Sequence, residues 1–121
     1  MPLILVVDDS EDNRFILRRM LEIGGFSVVT AIDGQDALGQ VATLRPALIM
    51  LDLAMPRVDG WTLAAELRKR ADLRETPLLA ITGHVMRDEL IRALDAGCDD
   101  YLSKPIDYET LLLKVRALIK T

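Results

Sequence analysis

Asp8 and Asp9, Asp52, Thr82 and Lys104 have the side-chain types needed to handle a phosphoryl group. Three carboxylates brought together repel one another, so the set makes sense only if a cation or a proton relieves the charge. Oxygen ligands favour a hard ion. Magnesium, which takes few protein carboxylates, several waters and a phosphate oxygen, suits so small a cluster better than calcium does. Lys104 supplies a second positive centre. A lysine, a hydroxyl donor and a divalent cation around one carboxylate are the parts that hold the equatorial oxygens of a transferring phosphoryl group, with Asp52 as the nucleophile. Taken singly, each residue has a plainer reading. An Asp-Asp pair caps a helix, a Thr suits a strand end, and a Lys-Pro pair in a loop carries little information. The plain readings fail together because all five residues fall at corresponding places relative to the apolar segments of the chain.

Those segments are Leu3 to Val7, Phe26 to Thr30, Ala47 to Leu51, Leu78 to Thr82, and Asp100 to Ser103. Three are nearly continuous apolar runs, the pattern of strands in a parallel sheet covered on both faces by helices. The stretches between them read as helical. The last shows the clearest period, with Tyr108, Leu111, Leu112, Val115 and Ile119 on one stripe behind Asp107 as N-cap. Gly24-Gly25 and Gly97 stand where helices should stop, and Pro46 closes another before the third strand. Strand alternating with helix five times implies right-handed βαβ units and a doubly wound α/β domain. In such a sheet the ligand site lies beyond the carboxyl ends of the strands, near the point where strand order reverses. Asp8-Asp9 follow the first strand, Asp52 closes the third, Thr82 closes the fourth and Lys104 follows the fifth, all at that edge.

Composition narrows the class. A chain of 121 residues, 50% of them hydrophobic, can bury a core as one domain, assigned here to residues 1–121. The net charge is −4, and no run of Lys and Arg interleaved with aromatics occurs, which argues against direct nucleic-acid binding. Cys98 is the only cysteine, so no internal disulfide or zinc framework is available, and it reads as a small buried hydrophobe in a reducing, cytoplasmic setting. The apolar start ends at Asp8, far short of the roughly 20 residues that span a bilayer, and it lacks the marks of a signal peptide, so no membrane association is expected.

In combination the motifs resemble those of response-regulator receiver domains, the phosphoacceptor modules of two-component and phosphorelay systems, over essentially the whole chain. Val6-Val7-Asp8-Asp9 resembles the acidic pair, Leu51-Asp52-Leu53-Ala54-Met55-Pro56 the phosphoacceptor and its loop, and Asp59-Gly60 the start of the next helix. Ile81-Thr82-Gly83 is similar to the switch segment, and Tyr101-Leu102-Ser103-Lys104-Pro105 to the last strand with its aromatic switch residue. The resemblance implies a flavodoxin-like five-stranded parallel sheet of order 2-1-3-4-5 flanked by five helices. It implies that Asp9 and Asp52 ligate magnesium directly, with the carbonyl of Ala54 as a third ligand and Asp8 acting through water. Lys104 and Thr82 then hold phosphoryl oxygens, Tyr101 turns inward as Thr82 moves, and the Lys104-Pro105 bond is cis. The implied partners are a histidine kinase or histidine phosphotransfer protein as donor and a downstream protein that reads the altered surface. The only reactions implied are the domain's own phosphorylation and autodephosphorylation, so it is a signalling module and not an enzyme.

The sequence departs from the commonest pattern of the family at Gly83, where alanine is frequent, and it carries Ala54 and His84 at the two variable positions that flank the phosphoryl group. These two positions control how an attacking water is admitted and oriented and are expected to set part of the lifetime of the acyl phosphate. An aspartate-based phosphohydrolase of the haloacid dehalogenase type needs a second Asp two residues after the nucleophile, where this chain has Ala54. A flavin-binding domain of the same topology is disfavoured by the acidic loop Asp8-Asp9-Ser10-Glu11-Asp12, which repels a ligand phosphate. A stand-alone receiver is expected over one cut from a larger regulator or hybrid kinase, as a monomer able to pair on activation.

Overall fold

The computed structural model of the chain describes residues 2–53, 60–83, 91–92 and 94–119. Its elements in order are β1 (Leu3–Val7), α1 (Glu11–Ile23), β2 (Ser27–Ala31), α2 (Gly34–Val41), β3 (Leu48–Asp52), α3 (Gly60–Lys69), a 3-10 turn (Ala71–Leu73), β4 (Leu78–Thr82), β5 (Asp100–Ser103) and α4 (Tyr108–Ile119). The strands form one parallel sheet in the order β2-β1-β3-β4-β5, as expected. Between β4 and β5, where a further helix was expected, Ile91, Arg92, Leu94 and Asp95 are helical, and residues 84–90 and 93 lie outside the described residues.

Local chemistry explains the helix ends. The Ser10 side chain accepts from the Asn13 N–H at 3.3 Å and starts α1, whose first turn carries Glu11 and Asp12 against the positive end of the helix. Gly24 caps its end, and Gly25 then takes φ +96°, a left-handed turn that costs glycine nothing. Asp33 accepts from the Asp36 N–H at 2.8 Å to begin α2. Asp107 is the cap of α4 read from the sequence, with Oδ2 accepting from the Thr110 N–H at 3.0 Å.

Each strand sends alternate side chains to opposite faces. Leu5, Val7, Ile49, Leu51 and Ala80 pack with Ala37 and Val41 of α2 and Leu63 and Leu67 of α3. Ile4, Val6, Met50, Leu79 and Ile81 pack with Leu17 and Leu21 of α1 and Leu111 and Val115 of α4. Residues such as Ile4, Ile49, Leu63 and Val115 are fully buried, and at about 1.5–3 kcal/mol for burying each large aliphatic side chain this double core holds the central strands rigidly. The carboxyl ends of β1 and β3 are therefore fixed platforms. Cys98 is buried, and burial pushes its thiol up to about 11, with Asp99 adding to the rise and Arg68 opposing it. Among the described residues no helix is long and apolar enough to cross a membrane.

Candidate functional site

Asp8, the residue after β1, is fully buried and tethered at three atoms. Its N–H donates to the Ala31 carbonyl at 3.1 Å, its carbonyl accepts from Arg14 Nη1 at 2.7 Å, and Oδ1 accepts from the Ser10 N–H at 2.9 Å. Oδ2 is left buried with no hydrogen-bond partner among the described residues. A buried acceptor without a partner is costly, which marks it as an atom that something else should meet. Burial holds the Asp8 carboxyl above its ordinary value of 3.8; the Ser10 N–H and Lys104 oppose the rise, and Asp52 and Asp9 add to it.

The β1–β3 register pairs Val7 with Leu51, which sets Asp52 level with Asp8 at the same edge of the sheet. Asp52 is the last residue of β3 and is 4% exposed. Asp8, Asp9 and Asp52 can each offer an oxygen within 4.8 Å of the others, with Asp9 on the solvent side. From beyond β5, Lys104 Nζ reaches to 3.3 Å from Asp52 Oδ2. The Lys104 N–H donates to the carbonyl of Thr82 at 2.8 Å, which ties the backbone of the lysine to that of the buried threonine at the end of β4. The Lys104-Pro105 bond is cis, as the resemblance implied. A cavity of about 250 Å³ opens beside this group, lined by Asp8, Asn13, Lys104 and Pro105 among others.

An all-oxygen donor set with an orphaned Asp8 Oδ2 and an open flank at Asp9 fits a hard divalent cation. The opposed charges of this cluster and Lys104 suit an anion bearing oxygens on several sides. Tyr101 stands one strand away, paired with Ala80, its ring partly buried against the α2–α3 core. Ala54, expected to lend its carbonyl, and His84, expected with it to influence acyl-phosphate lifetime, lie outside the described residues. Sequence reasoning missed Arg14. Its only signal was its place four residues after the Ser10 cap, one helical turn on, and that spacing alone does not reveal a carbonyl to bind.

A family model described as the response regulator receiver domain matches residues 4–116. The response regulator MprA of Mycolicibacterium vanbaalenii is 45% identical over 117 residues, covering 97% of this chain and 50% of that protein. MprA of Mycobacterium avium is 44% identical with the same coverage, so the chain spans half the length of the curated relatives it matches. Among solved structures, the chemotaxis protein CheY4 of Vibrio cholerae is similar with a TM-score of 0.94 and 30% identity, over 98% of each chain. The receiver domain of the sensor histidine kinase PA1611 from Pseudomonas aeruginosa, with a magnesium ion coordinated in its active site cleft, has a TM-score of 0.92 and 28% identity, over 99% of this chain and 98% of its own.

Proposed function

Because the chain belongs to the response-regulator receiver family of two-component signalling, we propose that residues 1–121 form a phosphorylation switch with Asp52 as acceptor. The observation that carries this reading is the 3.3 Å approach of Lys104 Nζ to the buried Asp52 Oδ2, beside an acidic cluster in which Asp8 Oδ2 lacks a partner among the described residues.

In the proposed reaction an Asp52 carboxylate oxygen attacks phosphorus as the bond to the donor's histidine nitrogen breaks, and that nitrogen takes a proton from solvent. Lys104 offsets the charge that spreads over the equatorial oxygens, and the Thr82 hydroxyl donates to one of them. Asp8 keeps its place through its three tethers, which leave its Oδ2 buried without a hydrogen-bond partner among the described residues. Asp9, Asp52 and the Ala54 carbonyl would hold magnesium, with Asp8 acting through water, and the ion would supply further neutralisation of the phosphoryl charge. The ion bound to the PA1611 receiver supports this assignment.

The donor in this proposal is a cytoplasmic histidine kinase or histidine phosphotransfer protein, and the reader is a downstream protein that binds the surface changed by movement of Thr82 and Tyr101. Ala54 and His84 would set the lifetime of the acyl phosphate in part, through the water they admit. The test is intact-mass analysis after incubation with acetyl phosphate. One adduct per chain is expected with magnesium, none in EDTA and none for Asp52→Asn. An adduct that survives Asp52→Asn overturns the assignment.

A further inference from the structure

We propose that Lys114 is a positioning residue that holds the partly buried Tyr101 ring where it stands beside β5, the last strand, and so biases the switch toward the arrangement seen in this structure. Lys114 Nζ lies 4.6 Å from the centre of the Tyr101 ring, within cation–π range. The same ammonium donates to the Tyr101 carbonyl at 2.6 Å and to Asp100 Oδ1 at 3.2 Å.

The path of the side chain is unusual. Lys114 belongs to α4, whose Leu111, Leu112 and Val115 pack on one face of the sheet, whereas the Tyr101 ring packs against the core of the other face. The lysine stem therefore passes around β5, the last strand of the sheet. A lysine at such an edge has an ordinary use, because it meets a backbone carbonyl that no neighbouring strand covers. That use accounts for the bonds to the Tyr101 carbonyl and to Asp100. It does not require a ring under the ammonium.

The two kinds of contact respond differently to a change of state. The carbonyl belongs to the β5 backbone and the carboxylate to the neighbouring residue, so both bonds persist wherever the ring points. The ring contact exists only while the ring stays beside Lys114. A contact made in one state alone shifts the equilibrium, and contacts made in both do not. This inference rests on the proposed inward turn of Tyr101 when the site is loaded. Removing the charge should then ease loading.

The experiment is a beryllofluoride titration of the full chain with magnesium present, read as the adduct signal in fluorine NMR. Lys114→Met and Lys114→Gln, the latter keeping a donor for the Tyr101 carbonyl, should each lower the half-saturation concentration about two- to fivefold, the range a cation over a partly exposed ring supports. Lys114→Arg should restore the parent value, and in a Tyr101→Leu background the charge-removing substitutions should have no effect. Unchanged or weaker saturation in Lys114→Gln, or the same gain without the Tyr101 ring, overturns the latch and leaves the site reading standing. Absence of any magnesium-dependent adduct on the parent protein overturns the site reading, and the latch with it.

Discussion

The stem of Arg68 fills the space a side chain at Gly97 would need: a Cβ built on Gly97 stands 2.4 Å from Arg68 Cγ, and Gly97 already holds φ +111°. Gly97 is therefore barred from carrying a side chain twice over, by its φ and by the arginine stem beside it. From that position Arg68 donates to the carbonyls of Gly97 at 2.9 Å, Leu73 at 3.1 Å, Arg74 at 2.9 Å and Thr76 at 2.7 Å, and it pairs with the Asp99 carboxylate. Asp99 Oδ2 also accepts from the Leu78 N–H at 2.8 Å. One planar guanidinium thus joins α3, the 3-10 turn and the entries to β4 and β5, at the end of the sheet opposite the acidic cluster.

Arg68→Ala is expected to destabilise the protein by about 3 kcal/mol, since hydrogen bonds from a charged group contribute roughly 1.5–3 kcal/mol and several acceptors lose their donor together. Arg68→Lys should recover less than half of that loss, because a point charge cannot serve a fork of acceptors. Urea unfolding midpoints measure both. A fully rescuing lysine would show that charge, and not the fork, is what matters.

Lys104→Met should slow phosphorylation by acetyl phosphate by about 10²–10³-fold, the usual cost of removing one charge-stabilising donor from a transferring centre. Time courses of intact mass read the rate. A rate within threefold of the parent's would remove Lys104 from the site, whatever its 3.3 Å distance from Asp52.

Asp8→Asn should stabilise the metal-free protein at neutral pH. The raised folded-state carboxyl means that the native chain keeps its proton to a higher pH than the unfolded chain does. That stabilisation is complete below the ordinary value of 3.8 and is lost as pH rises through the raised folded value. The advantage of the asparagine, measured by denaturation in EDTA, should therefore be present at pH 7 and fade toward pH 4. An advantage that grows on acidification would contradict the shift.

Cys98 should be inert to thiol reagents in the native protein. With its thiol pushed up to about 11, only about one in a thousand molecules carries the thiolate at pH 8, and the residue is only 5% exposed. Ellman's reagent should react with one thiol in urea and with almost none without it. Fast native reaction would mean that the core around Cys98 opens readily.

Much of this architecture was legible from the chain because both signals, apolar runs and polar residues at their ends, are local. β1, β4 and β5 fall on the segments read from sequence. β2 and β3 each begin one residue later than the apolar run, for a reason hydrophobicity does not carry. Phe26 is buried, yet its N–H donates back to the Leu21 carbonyl at 3.0 Å and so closes α1 instead of opening a strand. Asp8, Asp9, Asp52, Thr82 and Lys104 were named because strand ends in a parallel sheet share an edge. Arg14, Arg68 and Lys114 were not, since each reaches at least one backbone carbonyl across the fold, and an acceptor present in every residue leaves no mark in the sequence.

The site draws on both ends of the domain. Asp8 and Asp9 arrive early, Asp52 at the middle, and Lys104 only after β5 has joined the sheet. The counter-charge to the carboxylates is thus supplied from the far end of the chain, beyond the strand that closes the sheet. On the proposed reading, the last strand is as much a part of the acceptor site as the strand that carries Asp52.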